Sequence, residues 1–381
     1  MLMPAKKNPG DIYRSLGVRP AISASGATTM YGGTKLRTEV MEAMNTAARV
    51  MVNMDELNKK AGDVLAKHAG AEAGLVASGS AGGLVLQAAA VIAGNDPIKM
   101  RRLPDTTGMK NEIVIQNVHR FPYDQCYRAV GAKLVGVGDY LRTLPEEMEG
   151  AINEKTAAIA YLDAQFVSPR AMPLEQVVEI AHRHDLPVIV DAANMLPPRA
   201  NLKRYPAAGA DLTIFSGGKG LKGPQGSSIL VGRADLIEAA YANAAPHQAI
   251  GRGMKVTKEE IIGLVHALDL FMEEDEDAEM KQYRNLAQQA VDALIEIPGL
   301  DVSLEHDRDW LIPAAVFKFT KKWRGPSREQ VIKGMTSGDP PIYLHWLAGP
   351  DTLAVDPTNL DEEEMRIVIR RLREELLKPT K

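Results

Sequence analysis

The sequence predicts an α/β protein, with a large domain on a mostly parallel sheet and a smaller C-terminal α/β domain. Short apolar, β-branched runs recur between amphipathic segments from about residue 51 to residue 255. Those runs are apolar on both faces, as strands covered by helices on either side must be. After about Thr257 the order changes to long helical segments, then alternating strand and helix in a shorter unit, which reads as a second domain over 256–381.

Residues 1–50 carry GVRPAISASGATTMYGGT, a mixture of turn formers and extended chain, and read as an arm that packs on something larger. The predicted strands of the 51–255 domain are EIVIQNVH at Glu112 to His119, AAIAYLD ending at Asp163, LPVIVDAA around Asp191, DLTIFSGGK leading into Lys219, and SSILVG at Ser227 to Gly232. PLEQVVEIAHRHD between them has the helical period. In the second domain EEIIGLVHALDLFMEE, QQAVDALIEI, SREQVIKGM and DEEEMRIVIRRLREELL read as helices, and AAVFKF and PPIYLHW as strands. The acidic run at Glu273 to Glu279 is expected to be a solvated helix end.

With 381 residues, 45 % of them hydrophobic and 25 % charged, the chain can bury a large core and is not extensively disordered. A formal charge of -4 with no long basic run gives no footprint for tight nucleic-acid binding. The single cysteine, Cys126, can form neither an intrachain disulfide nor a thiolate metal cluster, which fits a reducing compartment. The longest apolar run, around Leu84 to Ala93, is too short to cross a membrane. A cytoplasmic enzyme with a small-molecule substrate is therefore expected, without a nucleic-acid or membrane partner. His182 and His184 stand two apart on a predicted helix and face different ways, so no metal is expected there.

Ligands of parallel sheets sit at the carboxyl ends of the strands, so polar residues just after each apolar run are the candidate site. Asp191 closes one run, and Lys219 follows another 28 positions later. Pyridoxal 5′-phosphate chemistry requires this pair. A lysine must hold the cofactor's aldehyde as a Schiff base and then carry a proton, and a carboxylate must keep the pyridine nitrogen protonated so that the ring withdraws electrons. Glycines around Lys219 would let a flat cofactor approach, and Ser216 could reach its phosphate. Ser78, Gly79, Ser80, Ala81 and Gly82, between an apolar run and a helix, suit the same phosphate through free N–H groups and hydroxyls. Glycine-rich helix starts also arise from close packing.

The strings Ser216-Gly-Gly-Lys219-Gly-Leu-Lys-Gly-Pro-Gln225-Gly and Val-Asp191-Ala-Ala-Asn194 resemble the bacterial selenocysteine synthase (seryl-tRNA selenium transferase) family, and within it the D-glucosaminate-6-phosphate ammonia-lyase type. The likeness runs from Ile22-Ser23-Ala24-Ser25-Gly26 to Pro340–Ile342, nearly the whole chain. The resemblance implies the aspartate-aminotransferase fold (type I of pyridoxal-phosphate enzymes), Lys219 as the cofactor lysine, Asp191 at the pyridine nitrogen, with Asn194 close by, and the Ser78 to Gly82 loop on the phosphate. It also implies a homodimer or higher homo-oligomer, with Gln225 near the partner's phosphate. Lys222 is the rival lysine; Lys219 is preferred because it directly follows the strand.

His119 is the expected ring against the pyridine face, with Tyr123 second; a His satisfied at a strand end is the plain alternative. Asp163 and Gln165 either reach the cofactor's 3′-oxygen or the substrate, or serve an ordinary turn. Arg252, with Lys255 nearby, suits an anionic group of the substrate unless it is only a solvated helix start. Relatives of this fold often bind the substrate carboxylate through an Arg after the PPI-like strand, where this chain has Tyr343, Leu344 and His345.

The reaction expected is α,β-elimination from a small hydroxylated amino acid or amino sugar acid, phosphorylated or not, giving a 2-oxo acid and ammonia. The same scaffold also supports racemisation, aldol cleavage and β-replacement, including selenium transfer. Selenium transfer would need a tRNA-gripping module and a basic surface, and neither is evident. A nicotinamide dehydrogenase would need Gly-x-Gly-x-x-Gly, and Gly79-Ser-Ala-Gly82 lacks that spacing. A pyridoxal-phosphate-binding regulatory protein would keep Lys219 without turnover.

Overall fold

The computed structural model describes residues 9–379 apart from 168 and 347, so the first eight residues of the arm lie outside the described residues. Twelve strands occur among the described residues: β1 (Ile22–Ala24), β2 (Ala73–Ser78), β3 (Glu112–Gln116), β4 (Lys133–Val137), β5 (Thr156–Leu162), β6 (Val188–Asp191), β7 (Leu212–Ser216), β8 (Ser227–Gly232), β9 (Leu300–Glu305), β10 (Ala314–Phe319), β11 (Ile342–Leu344) and β12 (Thr352–Val355). Seven form one sheet in the order β2-β8-β7-β6-β5-β3-β4. All its pairings are parallel except those of β8 with β2 and β7. Every residue of β3 is buried, and in β5 only Tyr161 is not, which is why these strands read as continuous apolar runs. The edge strand β4 is largely exposed or half-buried and gave no such pattern.

The apolar helix Gly79–Ala93 lies against this sheet. At Gly83 a side chain would place Cβ 2.2 Å from Ile214 Cδ1, so glycine permits the close approach to β7. Gln87, fully buried on the same helix, donates its amide N–H to the carbonyls of Val190 and Leu212 at 3.1 and 3.4 Å. This ties the helix to β6 one residue before Asp191 and to the first residue of β7.

The chain divides into a unit of residues Lys35–Glu274 and one of residues up to Thr34 with those from Asp275 on. These breaks differ from the expected ones after residues 50 and 255. Helix Thr38–Ala47, placed by sequence in the arm, packs on helix Lys258–Glu273, placed in the second domain. Gly263 faces Met44, whose Cγ would lie 2.7 Å from an added Cβ, and Lys258 Nζ donates to the carbonyl of Ala47 at 2.9 Å. Composition could not show this, because an amphipathic helix can cover either unit.

In the smaller unit β12-β10-β9 form an antiparallel sheet, with Leu286, Ala290, Phe317, Leu353 and Leu372 in its core. β1 and β11 pair in parallel, Ile22 with Ile342, Ser23 with Tyr343 and Ala24 with Leu344, which joins the two outer segments of the family resemblance. Gly26, just past β1, has φ +63°, and an added Cβ would meet Asp356 Oδ2 at 2.3 Å. Gly26→Ala is therefore expected to lower stability by about 1–3 kcal/mol through left-handed strain, measured by thermal unfolding. Among the described residues no helix is long and apolar enough to cross a membrane.

Candidate active site

The carboxyl ends of β5, β6 and β7 carry the site. Register pairs Leu162 with Asp191 and Asp191 with Ile214, which sets the Asp191 carboxylate between two parallel neighbours. Its Oδ1 accepts the Ala193 N–H at 3.0 Å. Burial raises the Asp191 carboxyl above the usual carboxylate range, opposed by that hydrogen bond and by the charge of Lys219. Burial likewise holds Lys219 below the ordinary lysine range, opposed by attraction to Asp191. Both groups thus shift toward neutrality although they attract each other: desolvation outweighs the pair. Such a carboxylate is stabilised by a cationic ring nitrogen, and such a lysine is shifted toward its nucleophilic amine form.

Lys222 takes another place. It has φ +55° and its N–H closes a turn onto the Lys219 carbonyl at 2.8 Å. The glycines around Lys219 serve turn packing rather than an open approach for a flat ring, because protein atoms occupy the space a side chain would take. An added Cβ would lie 2.3 Å from Ser227 Oγ at Gly217, 2.3 Å from Gln225 Oε1 at Gly218 and 2.2 Å from the Leu196 carbonyl at Gly220. Gln225 is itself exposed, while Ser216, at the end of β7, is partly buried.

Ser78 ends β2, and Gly79, with φ +60°, turns the chain into the helix Gly79–Ala93. Ser80 Oγ is buried and has no hydrogen-bond partner among the described residues. A buried hydroxyl beside the free N–H groups of a helix start matches a phosphate oxygen. At Gly82 an added Cβ would lie 3.3 Å from Ser78 Cβ and 3.7 Å from Met254 Sδ. The Arg252–Lys255 segment therefore lies beside this loop, with Arg252 and Lys255 both exposed.

Other expected residues are arranged differently. Asp163 donates its N–H to the Asp191 carbonyl at 2.9 Å, but its carboxylate accepts Tyr205 Oη at 2.9 Å and Arg204 Nη1 at 3.3 Å. That carboxylate thus tethers the helix Asn201–Ala207. Asn194 Nδ2 donates to Gln165 Oε1, joining the ends of β5 and β6. His182 and His184 go to separate carboxylates, Asp211 at 3.0 Å and Glu149 at 3.4 Å.

A small cavity reaching Asp191 is lined by His119, Phe121, Tyr123, Asp124, Tyr127 and Tyr161, among others. His119 is 1 % exposed, and burial pushes its pKa down to about 4. Tyr123 is 52 % exposed and packs with Phe121, itself against Phe166 at 4.6 Å between centroids. Tyr127 and Tyr161 were not picked out from the sequence. Tyr161 stands in a predicted strand, two positions before its polar end, whereas nothing in QCYR marks Tyr127. The larger unit thus brings together a half-buried carboxylate and lysine in mutual electrostatic contact and a buried hydroxyl at a helix start.

Comparison with known proteins agrees. The aminotransferase class-V family model matches residues 107–321. The chain is 34 % identical over 374 residues to a Streptomyces 5′-C-glycyluridine monooxygenase-decarboxylase, covering 96 % of this chain and 92 % of the relative. It is 31 % identical over 374 residues to D-glucosaminate-6-phosphate ammonia lyase of Salmonella typhimurium, covering 96 % and 97 %. A solved structure of D-glucosaminate-6-phosphate ammonia-lyase superposes with a TM-score of 0.84 at 30 % identity, covering 98 % of this chain and 99 % of that one. By matches of this extent, in sequence and in fold, the chain belongs to the class-V aminotransferase family and is a pyridoxal-5′-phosphate enzyme of fold type I.

Proposed function

We propose that this enzyme is an ammonia-lyase: it removes the Cα proton and a β-hydroxyl from a hydroxylated amino acid or amino sugar acid, phosphorylated or not, and releases a 2-oxo acid and ammonia. The observation that carries this reading is the near full-length likeness, in sequence and fold, to a lyase of that class. When bound, the cofactor supplies the electron sink that stabilises negative charge at Cα. Lys219 holds it and, once released, moves the proton from Cα toward the departing hydroxyl. Asp191 keeps positive charge on the ring nitrogen. Ser78 to Gly82 and Ser216 hold the phosphate, and Gln225 reaches the partner's phosphate in a homodimer or larger homo-oligomer. Arg252 and Gln165 bind the substrate's polar groups. Water lost at Cβ is regained in the final hydrolysis, so the net change is loss of ammonia. The single cysteine, Cys126, supports a cytoplasmic setting.

A second reading, oxygen-dependent decarboxylation, is favoured by the 34 % identity to the Streptomyces monooxygenase-decarboxylase. The test is incubation of the cofactor-loaded protein with D- and L-hydroxy amino acids and D-glucosaminate 6-phosphate, with and without air. Equal ammonia and 2-oxo acid under both conditions supports elimination. Carbon dioxide formed only in air supports the second reading. No turnover with any compound, despite bound cofactor, would favour a regulatory binding protein.

A further inference from the structure

Proton transfer through Lys219 leaves His119 without a task, although its ring is enclosed beside Asp191. The backbone N–H of Leu162 reaches His119 Nδ1 at 3.3 Å. A peptide N–H can only donate, so Nδ1 holds the lone pair, and the neutral ring carries its hydrogen on Nε2. Protonating the ring would set Nδ1–H against the Leu162 N–H, donor against donor, in a site 1 % exposed. The downward shift of its pKa to about 4, caused by burial, runs the same way.

Nε2 is buried and has no hydrogen-bond partner among the described residues. The acidic groups sharing its cavity do not serve it: Asp124 is held by Arg120 at 2.6 Å and Arg128 at 3.2 Å, and Asp191 accepts from Ala193. The phenols of Tyr123, Tyr127 and Tyr161 complete the titratable lining. Tyr161 stands across the imidazole at 78° with centroids 4.6 Å apart, which holds the ring's orientation. A buried donor left unpaired is costly, so the donor of a ring that lines this cavity is expected to find its acceptor on what binds there.

Given the reading of Asp191 and Lys219 as the cofactor-holding pair, we infer that His119 is a positioning residue: a permanently neutral imidazole whose Nε2–H donates to an acceptor atom of the bound cofactor or substrate, and which shuttles no proton. This differs from a role as a stacking ring. Two variants separate them, with cofactor affinity of the apoprotein as readout. His119→Gln keeps an N–H donor without a flat aromatic ring, and His119→Phe keeps the ring without the donor. The expected result is near wild-type affinity for His119→Gln and a loss of about tenfold for His119→Phe. The reverse order, or equal effects in both, would overturn the inference. Nitrogen-15 spectra of the wild-type histidines test it without a variant. One ring should keep a bare Nδ1 and a protonated Nε2, unchanged from about pH 8 to about pH 5, whereas titration of His119 near pH 6.5 would overturn it. If the wild-type protein fails to bind pyridoxal phosphate, the reading of the site falls, while the spectra still decide the state of His119.

Discussion

Lys219→Ala is expected to abolish the visible absorption of the covalently held cofactor and to lower turnover by roughly 10²–10⁴-fold, the range lost with a positioned general acid or base. Lys219 is enclosed beside Asp191, and burial holds it toward its neutral, nucleophilic form. Among the described residues no other lysine acts on Asp191: Asp191 feels the charge of Lys219, and Lys222 stands further on in a turn. The matched control is Lys222→Gly, because φ +55° at that position suits glycine. It should retain both the absorption band and turnover. An absorption spectrum of each purified protein, followed by turnover on any substrate found, checks the pair. Loss of the band in Lys222→Gly with its survival in Lys219→Ala would reverse the assignment.

Asp191→Asn is expected to lower turnover by on the order of 10²–10³-fold, as when one preorganised electrostatic partner of the reacting group is removed. The same change should make the apoprotein more stable. A carboxyl whose folded pKa is raised by burial contributes stability that is fully present below its unfolded pKa and is lost as pH rises through the folded one. Above the unfolded pKa the wild-type apoprotein therefore bears a cost of desolvating this carboxyl that grows with pH, and the amide does not. Thermal unfolding of both apoproteins near pH 7 and near pH 4 should show the gap narrowing at the acidic end. Added cofactor should stabilise the wild type more than Asp191→Asn. A function maintained against stability is what a buried charge at an active site entails.

Much of the site was legible because catalysis constrains the chain locally. Asp191 and Lys219 each follow an apolar run, and the sheet register brings those run ends side by side. Ser80 could be placed because the turn at Gly79 and the helix after it are written in adjacent residues. Asp163 could not be resolved in advance, since whether its carboxylate faces a ligand or Tyr205 depends on a helix some 40 residues further on, here at a separation of 42. The same holds for the glycines around Lys219, whose neighbours Leu196 and Ser227 arrive from other elements.

The sequence by itself determined the parallel sheet and the cofactor, and it singled out the two residues proposed to hold the cofactor's reactive ends, because two-sided burial and imine chemistry each leave a short-range pattern of residue types. Tertiary structure alone decided where the units divide, which polar groups are spent on holding helices in place, and which way the His119 ring is protonated. Those outcomes hang on single hydrogen bonds and close packing between distant segments, as between Leu162 and His119 or Gly263 and Met44, and no local pattern records them.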